Sequence, residues 1–299
     1  MVDNHGRFVW YELITTDVTA AKAFYAKVLG WGAHEASAPG LPYTLFTVGK
    51  APIGGLMDLP VEARRLGATP RWVGYVAVDD VDAAADRLMR LGGAVYVPPT
   101  DSNIGRISVV ADPQTATLAL VEGLKPFQRK PAEPGRPGRV GWHELLAADW
   151  EKAFAFYSDL LGWQKTEAEF GSTQAYQLFT AGEDMIGGMV NKRREDPVPF
   201  WLYYLNVDDI DAAAERVENA GGRIFEGPSE LPDESWILRC SDPQGAAFAL
   251  QGKRSQDGIG RAPASEVGWS TAWGGISSKG RLVVTRPRGR TRTSDTEGS

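Results

Sequence analysis

The 299-residue chain writes much of itself twice. "FVWYELITTD" at 8–17 returns as "VGWHELLAADW" at 140–150, 132 residues later, with the same Trp-x-Glu-Leu core and a matching Asp. An internal repeat on this scale dictates the architecture before any single residue is interpreted, because each copy is long enough to bury a core of its own. The expectation is two similar modules in tandem.

Within the first copy, "RFVWYELITT" is rich in β-branched and aromatic residues and reads as a strand. Asp17 is placed to cap the helix "VTAAKAFYAKVL", Gly30 to end it, and Ala21, Phe24, Tyr25 and Val28 recur at helical spacing on one face. The second copy repeats the pattern with Asp149 as cap, Phe154, Tyr157 and Leu161 on the buried stripe, and Gly162 as stop. "PYTLFTVGK" and "AYQLFTAGE", then "IGGLM" and "IGGMV", read as short strands joined by tight turns. A second round follows in each copy. "RWVGYVAVDD" parallels "FWLYYLNVDD", "VDAAADRLMRLGG" parallels "IDAAAERVENAGG", and "ISVVADPQTATLALVEG" parallels "ILRCSDPQGAAFALQGK". Each module is therefore expected to hold two βαβββ units, an α+β fold with helices on one face of curved mixed sheets around a cup. The expected boundaries are 7–123 for the first module, 124–138 for a Pro-rich charged linker, 139–252 for the second, and 253–299 for a disordered basic tail.

Charge argues against some partners. Residues 253–299 carry nine Lys/Arg and four Asp/Glu, which leaves 23 basic against 34 acidic residues elsewhere, a body near −11. Such a body lacks the basic footprint that nucleic-acid binding draws on. No run of about 18 apolar residues exists, and "MVDNHGRFVW" lacks the pattern of a secretory signal, so no membrane partner is expected. The single cysteine, Cys240, rules out an intramolecular disulfide and fits a reducing compartment. A cytoplasmic protein, monomeric or homodimeric, is the expectation.

The paired βαβββ units, the strand ending in Asp before "AAKAFY", "IGGLM", "VDDVDAAADRL" and the closing "DPQTATLAL" resemble the vicinal oxygen chelate superfamily, which includes glyoxalase I, bleomycin-resistance proteins and extradiol dioxygenases. The duplicated "WxEL…D…AFY…LGW" is similar, more narrowly, to two-module actinobacterial proteins that carry glyoxylase or hydroxylase labels. The resemblance covers residues 7 to about 252. It implies metal-ligand positions on particular strands. By motif alignment these fall on Trp10 and Trp142, on Val73 and Leu202, within "IGGLM" and "IGGMV", and on Ala119 and Ala249. None offers an oxygen or nitrogen side-chain donor, whereas a divalent ion needs three or four. No metal or other cofactor is expected.

Strand alternation indicates what stands there instead. Trp10 and Glu12 are two residues apart and share a face, as do Trp142 and Glu144. By the same parity Tyr75 and Tyr204 join them, and Tyr43 and Tyr176 can be added from the neighbouring strands. Each cup then holds a carboxylate, phenols and an indole. A carboxylate on an inner sheet face needs a partner, which can be a ligand, a salt bridge or backbone amides. If functional, Glu12 and Glu144 are candidate general bases, with Tyr75 or Tyr204 as proton donor; equally, each Glu can hold a cationic or hydroxyl-bearing ligand beside the indole. Arg106 is a further candidate, for a carboxylate or phosphate, with a surface ion pair as its ordinary alternative. His143 alternates away from Glu144. Two functions remain open at this level: binding of a small organic molecule, or a glyoxalase-type or hydroxylase-type enzyme acting on one.

Overall fold

The computed structural model describes residues 4–36, 43–124, 135–166 and 176–255. Most of the expected linker (125–134) and the expected tail from 256 onward lie outside the described residues. The first module runs β1 (Phe8–Thr15), α1 (Val18–Leu29), β2 (Gly32–Glu35), β3 (Thr44–Val48), β4 (Ala51–Asp58), α2 (Val61–Arg65), β5 (Arg71–Ala77), α3 (Val81–Arg90), β6 (Ala94–Asp101), β7 (Arg106–Ala111) and β8 (Thr117–Glu122). The second runs β9 (Val140–Ala147), α4 (Trp150–Leu161), β10 (Gln164–Lys165), β11 (Gln177–Ala181), β12 (Asp184–Asn191), β13 (Phe200–Asp209), α5 (Ile210–Asn219), β14 (Arg223–Glu230), β15 (Trp236–Ser241) and β16 (Ala247–Lys253). The short α2 is an addition that the repeat does not announce, and residues 192–199 in the second module form no helix. Lys253, expected to open the tail, still belongs to β16.

Each module is one eight-stranded mixed sheet, in the orders β2-β3-β4-β1-β5-β8-β7-β6 and β10-β11-β12-β9-β13-β16-β15-β14. The first and last strands of each unit pair in parallel, β1 with β4 and β5 with β8, while β1 and β5 join the two units antiparallel. The second sheet repeats this with β9, β12, β13 and β16.

Four aspartates start the four long helices by one device. Asp17, Asp80, Asp149 and Asp209 each accept the backbone N–H three residues on, at 2.8 to 3.1 Å. A cap of this kind stabilises a helix by about 1 kcal/mol. Gly30 and Gly162 close α1 and α4 in the left-handed conformation that lacks a Cβ penalty. The buried stripe of α1 is Ala21, Phe24, Tyr25 and Val28.

The helix-bearing faces of both sheets feed one continuous apolar core that crosses the module boundary, with α1 against α5 and α3 against α4. Matched polar clamps tie the halves. Tyr25 donates to Asp242 of the other module and Tyr157 to Asp112, each at 3.2 Å, and both phenols accept an indole N–H, from Trp72 and Trp201. The Trp31 indole reaches the carbonyl of Gly138 at 2.9 Å, and Trp163 that of Gly6 at 2.6 Å. Among the described residues no helix is long and apolar enough to cross a membrane.

Candidate functional site

On the sheet face turned away from the helices, each module has its own smaller buried apolar cluster, at the positions expected to line its cup. Alternation puts Trp10 and Glu12 of β1 on that face and leaves Leu13 on the other, in the main core. The pairing sets Trp10 opposite Tyr75, and Tyr75 opposite Ala119. The Tyr75 hydroxyl donates to Glu12 Oε2 at 2.7 Å, Trp10 Nε1 donates to the Tyr43 hydroxyl at 3.2 Å, and Tyr43 also hydrogen-bonds Glu12. The four predicted residues of this cup meet in one buried network.

The second glycine of "IGGLM" makes room for it. A Cβ on Gly55 would lie 1.9 Å from the Tyr43 hydroxyl and 3.1 Å from Glu12 Oε1. In the second module Gly188 leaves the same space for Tyr176, whose ring would lie 2.1 Å from a Cβ there. The middle strand therefore contributes a gap, and a phenol from the next strand fills it.

The second cup repeats the frame with Trp142 opposite Tyr204 and Tyr204 opposite Ala249. Tyr204 donates to Glu144 Oε2 at 2.8 Å, and Trp142 Nε1 donates to the Tyr176 hydroxyl at 3.0 Å. A residue that sequence reasoning missed changes its electrostatics. Arg239 of β15, 6% exposed, donates to Glu144 Oε2 at 2.6 Å, to the Tyr204 hydroxyl at 3.1 Å and to Glu226 at 3.0 Å. Its counterpart is Val109, since Arg239 pairs with Ala249 as Val109 pairs with Ala119. The signal was present in "WILRC", where alternation sets Arg239 on the side of Ile237 and away from Leu238 and Cys240.

Arg106 is not part of either cup. Its fork takes both oxygens of Asp82, at 2.6 and 2.9 Å, and Asp101 at 3.1 Å. The physical reason is again parity: Ile107 and Val109 face the first cup, so Arg106 faces the helix side, where Asp82 opens α3. It is a partly exposed ion pair, as its ordinary alternative anticipated. His143 also faces away from Glu144. It is buried at the module junction, 2.6 Å from the Tyr11 hydroxyl and stacked on Phe8.

The two carboxylates sit in different surroundings. Burial pushes the Glu12 carboxyl above its ordinary range, and its hydrogen bonds from Tyr75 and Tyr43 only partly offset this. Burial also raises the phenols of Tyr43, Tyr75, Tyr176 and Tyr204, so at neutral pH they are hydrogen-bond donors and not proton sources. Glu144 instead shares its oxygen with a guanidinium. As a metal centre neither set fits: each has one carboxylate with phenols, and among the described residues no three His, Cys, Asp or Glu side chains converge. In the second cup the Glu144 carboxylate is paired with the Arg239 guanidinium.

The family model described as "Glyoxalase/Bleomycin resistance protein/Dioxygenase superfamily" matches residues 7–120 and again 139–250. A Mycobacterium tuberculosis protein named "Putative glyoxylase CFP32" is 34% identical over 248 residues, covering 81% of this chain and 92% of that one. The "Anthracycline biosynthesis protein DnrV" of Streptomyces peucetius is 29% identical over 259 residues, covering 82% and 92%. Among solved structures, the Mn(II)-bound glyoxalase of Novosphingobium aromaticivorans superposes with a TM-score of 0.57 at 17% identity, over 84% of this chain and 83% of that chain. The 2,3-dioxygenase LapB of Pseudomonas sp. KL28 gives 0.58 at 11% identity, over 88% and 98%. At these identities the structural likeness speaks to the fold alone.

Proposed function

Because the chain belongs to the glyoxalase/bleomycin resistance protein/dioxygenase superfamily across both of its halves, we propose that it binds a small organic molecule in one or both cups, and does so without a metal ion. The observation that carries the reading is the carboxylate with its phenol donor, Glu12 with Tyr75 and Glu144 with Tyr204, set beside an indole on an otherwise apolar sheet face. Such a face supplies area for an apolar body and one or two polar groups to orient it, which is the usual composition of a small-molecule site. The residues at the family's ligand positions, Trp10, Val73 and Ala119 with their counterparts Trp142, Leu202 and Ala249, support the metal-free part, since none can donate a lone pair from nitrogen or oxygen to a cation. The acidic body favours an uncharged or cationic small molecule over nucleic acid as the partner.

A second reading, an enzyme, is favoured by one observation. Burial raises the proton affinity of Glu12, which is how a carboxylate is made a better general base. In that reading Glu12 takes a proton from bound substrate, and the Tyr75 hydroxyl steadies developing negative charge by hydrogen bonding. Acid catalysis by Tyr75 is disfavoured, because its phenol is pushed upward. The relative named a glyoxylase supports this reading, and the relative named for anthracycline biosynthesis supports either.

Elemental mass spectrometry of protein purified without a metal-affinity tag tests the proposal directly. Substoichiometric metal, with saturable ligand quenching of tryptophan fluorescence, is expected. About one equivalent of a divalent metal per module would overturn the metal-free reading. Turnover of a dicarbonyl or aromatic substrate that Glu12→Gln abolishes while binding persists would promote the enzyme.

A further inference from the structure

We infer that the second cup holds the ligand, and that the ligand is a largely apolar molecule carrying a neutral hydroxyl donor. The inference rests on the reading of the cups as ligand sites and makes it specific. Its starting point is an oxygen. Glu144 is 0% exposed, its Oε2 receives both Tyr204 and Arg239, and its Oε1 is buried with no hydrogen-bond partner. Leaving a buried acceptor unpaired is costly, more so for a charged one, and native folds seldom do it without a use for the group. The first cup has no such vacancy in its hydrogen bonding: Glu12 takes both Tyr75 and Tyr43. The two cups therefore differ in what they ask of a ligand.

Charge selects the donor. Arg239 lies between Glu144 and Glu226, and Glu226 lies between Arg239 and Arg193 at 3.3 Å, so charges alternate along the series. Arg193 also meets Glu195 and Asp196 at 3.6 Å, so the guanidinium of Arg239 is the cation that balances Glu144. An ammonium at Glu144 Oε1 would stand within a few ångströms of the guanidinium that already balances this carboxylate, and the two cations would repel. A hydroxyl makes the missing hydrogen bond without that repulsion. The rest of the lining, Trp142, Leu202, Ile237 and Ala249, is apolar and fits a hydrocarbon or aromatic body.

Arg239 acts here as a positioning residue. Its Nη1 is held by Glu226 and its Nε by the Tyr204 hydroxyl, so Nη2 pins one carboxylate oxygen, Oε2, and Oε1 is the one without a protein partner. Val109 cannot do this in the first module. The duplication has thus left one cup filled by its own hydrogen bonds and one cup with an acceptor open.

The test uses the full chain with 13C-methyl methionine, and 4-fluorophenol and 4-fluorotoluene as probes of equal shape. Met185 packs against the second cup, and Met57 sits opposite Ile14, which packs against the first. We expect 4-fluorophenol to move the Met185 methyl signal and leave Met57, and to bind about tenfold tighter than 4-fluorotoluene, the effect of one good hydrogen bond. Glu144→Gln should reduce that preference to about threefold or less. The comparison of probes on the unaltered chain decides even where the variant fails to fold. A response at Met57 alone overturns the second-cup assignment and leaves small-molecule binding standing. Equal affinities for the two probes overturn the hydroxyl assignment, and silence of both methyls to both probes overturns the inference as a whole. Failure of the broader reading shows separately, as about one equivalent of metal per module or the absence of any fluorescence-detected ligand.

Discussion

Tyr11 and His143 stand at the same place in the two copies of the repeat, and they meet. The hydroxyl lies 2.6 Å from His143 Nε2, while His143 Nδ1 is hydrogen-bonded to the carbonyl of Ile186. The pair marks the pseudo-twofold between the modules, where a symmetric assembly would set each residue against its own copy. Here divergence has made the contact complementary.

Folding stability should therefore carry a histidine signature of definite sign. Burial pushes the His143 imidazole from its ordinary value down to about 4. Between about pH 4 and 6.5 the unfolded chain binds the proton that the folded chain refuses, so stability falls as pH drops through that window. The full effect amounts to roughly 3 kcal/mol for a shift of this size. Urea unfolding of wild type and His143→Gln across the window measures it, and equal slopes would contradict the assignment.

A second contact on the same axis predicts a steric result. Tyr203 takes the N–H of Gly74, its own counterpart, at 2.7 Å, and fills the space that a side chain would need. A Cβ on Gly74 would fall 2.6 Å from the Tyr203 hydroxyl and 2.8 Å from the Phe8 ring. Gly74→Ala should cost about 1–3 kcal/mol, typical of overpacking. Tyr203→Phe should cost a comparable amount for a different reason, by leaving a buried N–H without its acceptor. Denaturant midpoints of the two variants check both.

Neutralising the Glu12 carboxylate should have an effect of definite sign. Because the folded state raises the Glu12 carboxyl, ionising it destabilises the fold as pH rises from about the ordinary Glu value of 4.5 toward the raised one. Glu12→Gln is expected to be more stable than wild type at neutral pH, with the gap closing below about pH 4.5. A melting temperature at pH 7 that fails to rise would count against desolvation as the main influence on Glu12.

Arg239→Met strips the guanidinium from two acids, Glu144 and Glu226. The loss should be about 3–5 kcal/mol, the range for breaking a buried pair from one side. Adding Glu144→Leu should recover much of it, and a double-mutant cycle reports the coupling. Arg106→Gln, by contrast, should cost no more than about 1 kcal/mol and leave ligand affinity alone, since that fork serves a partly exposed pair.

Much of this was legible in the chain itself. The repeat, the Asp17 and Asp149 caps and the 3.6-residue and two-residue periods determined two modules of paired βαβββ units, because these features are local and additive along the sequence. The grouping of Trp10, Glu12 and Tyr75, and of Trp142, Glu144 and Tyr204, followed from alternation on adjacent strands. Arg106 and Arg239 did not. Their roles depend on which face of β7 and β15 each occupies, and alternation fixes that face only once the register of these strands against β8 and β16 is known. Tyr25 with Asp242, and Tyr157 with Asp112, needed something the sequence does not contain, the docking of one module on the other. Helix and strand are short-range choices of the backbone. Which buried charge finds a partner, and which is left open, is decided only when distant strands close the space around it.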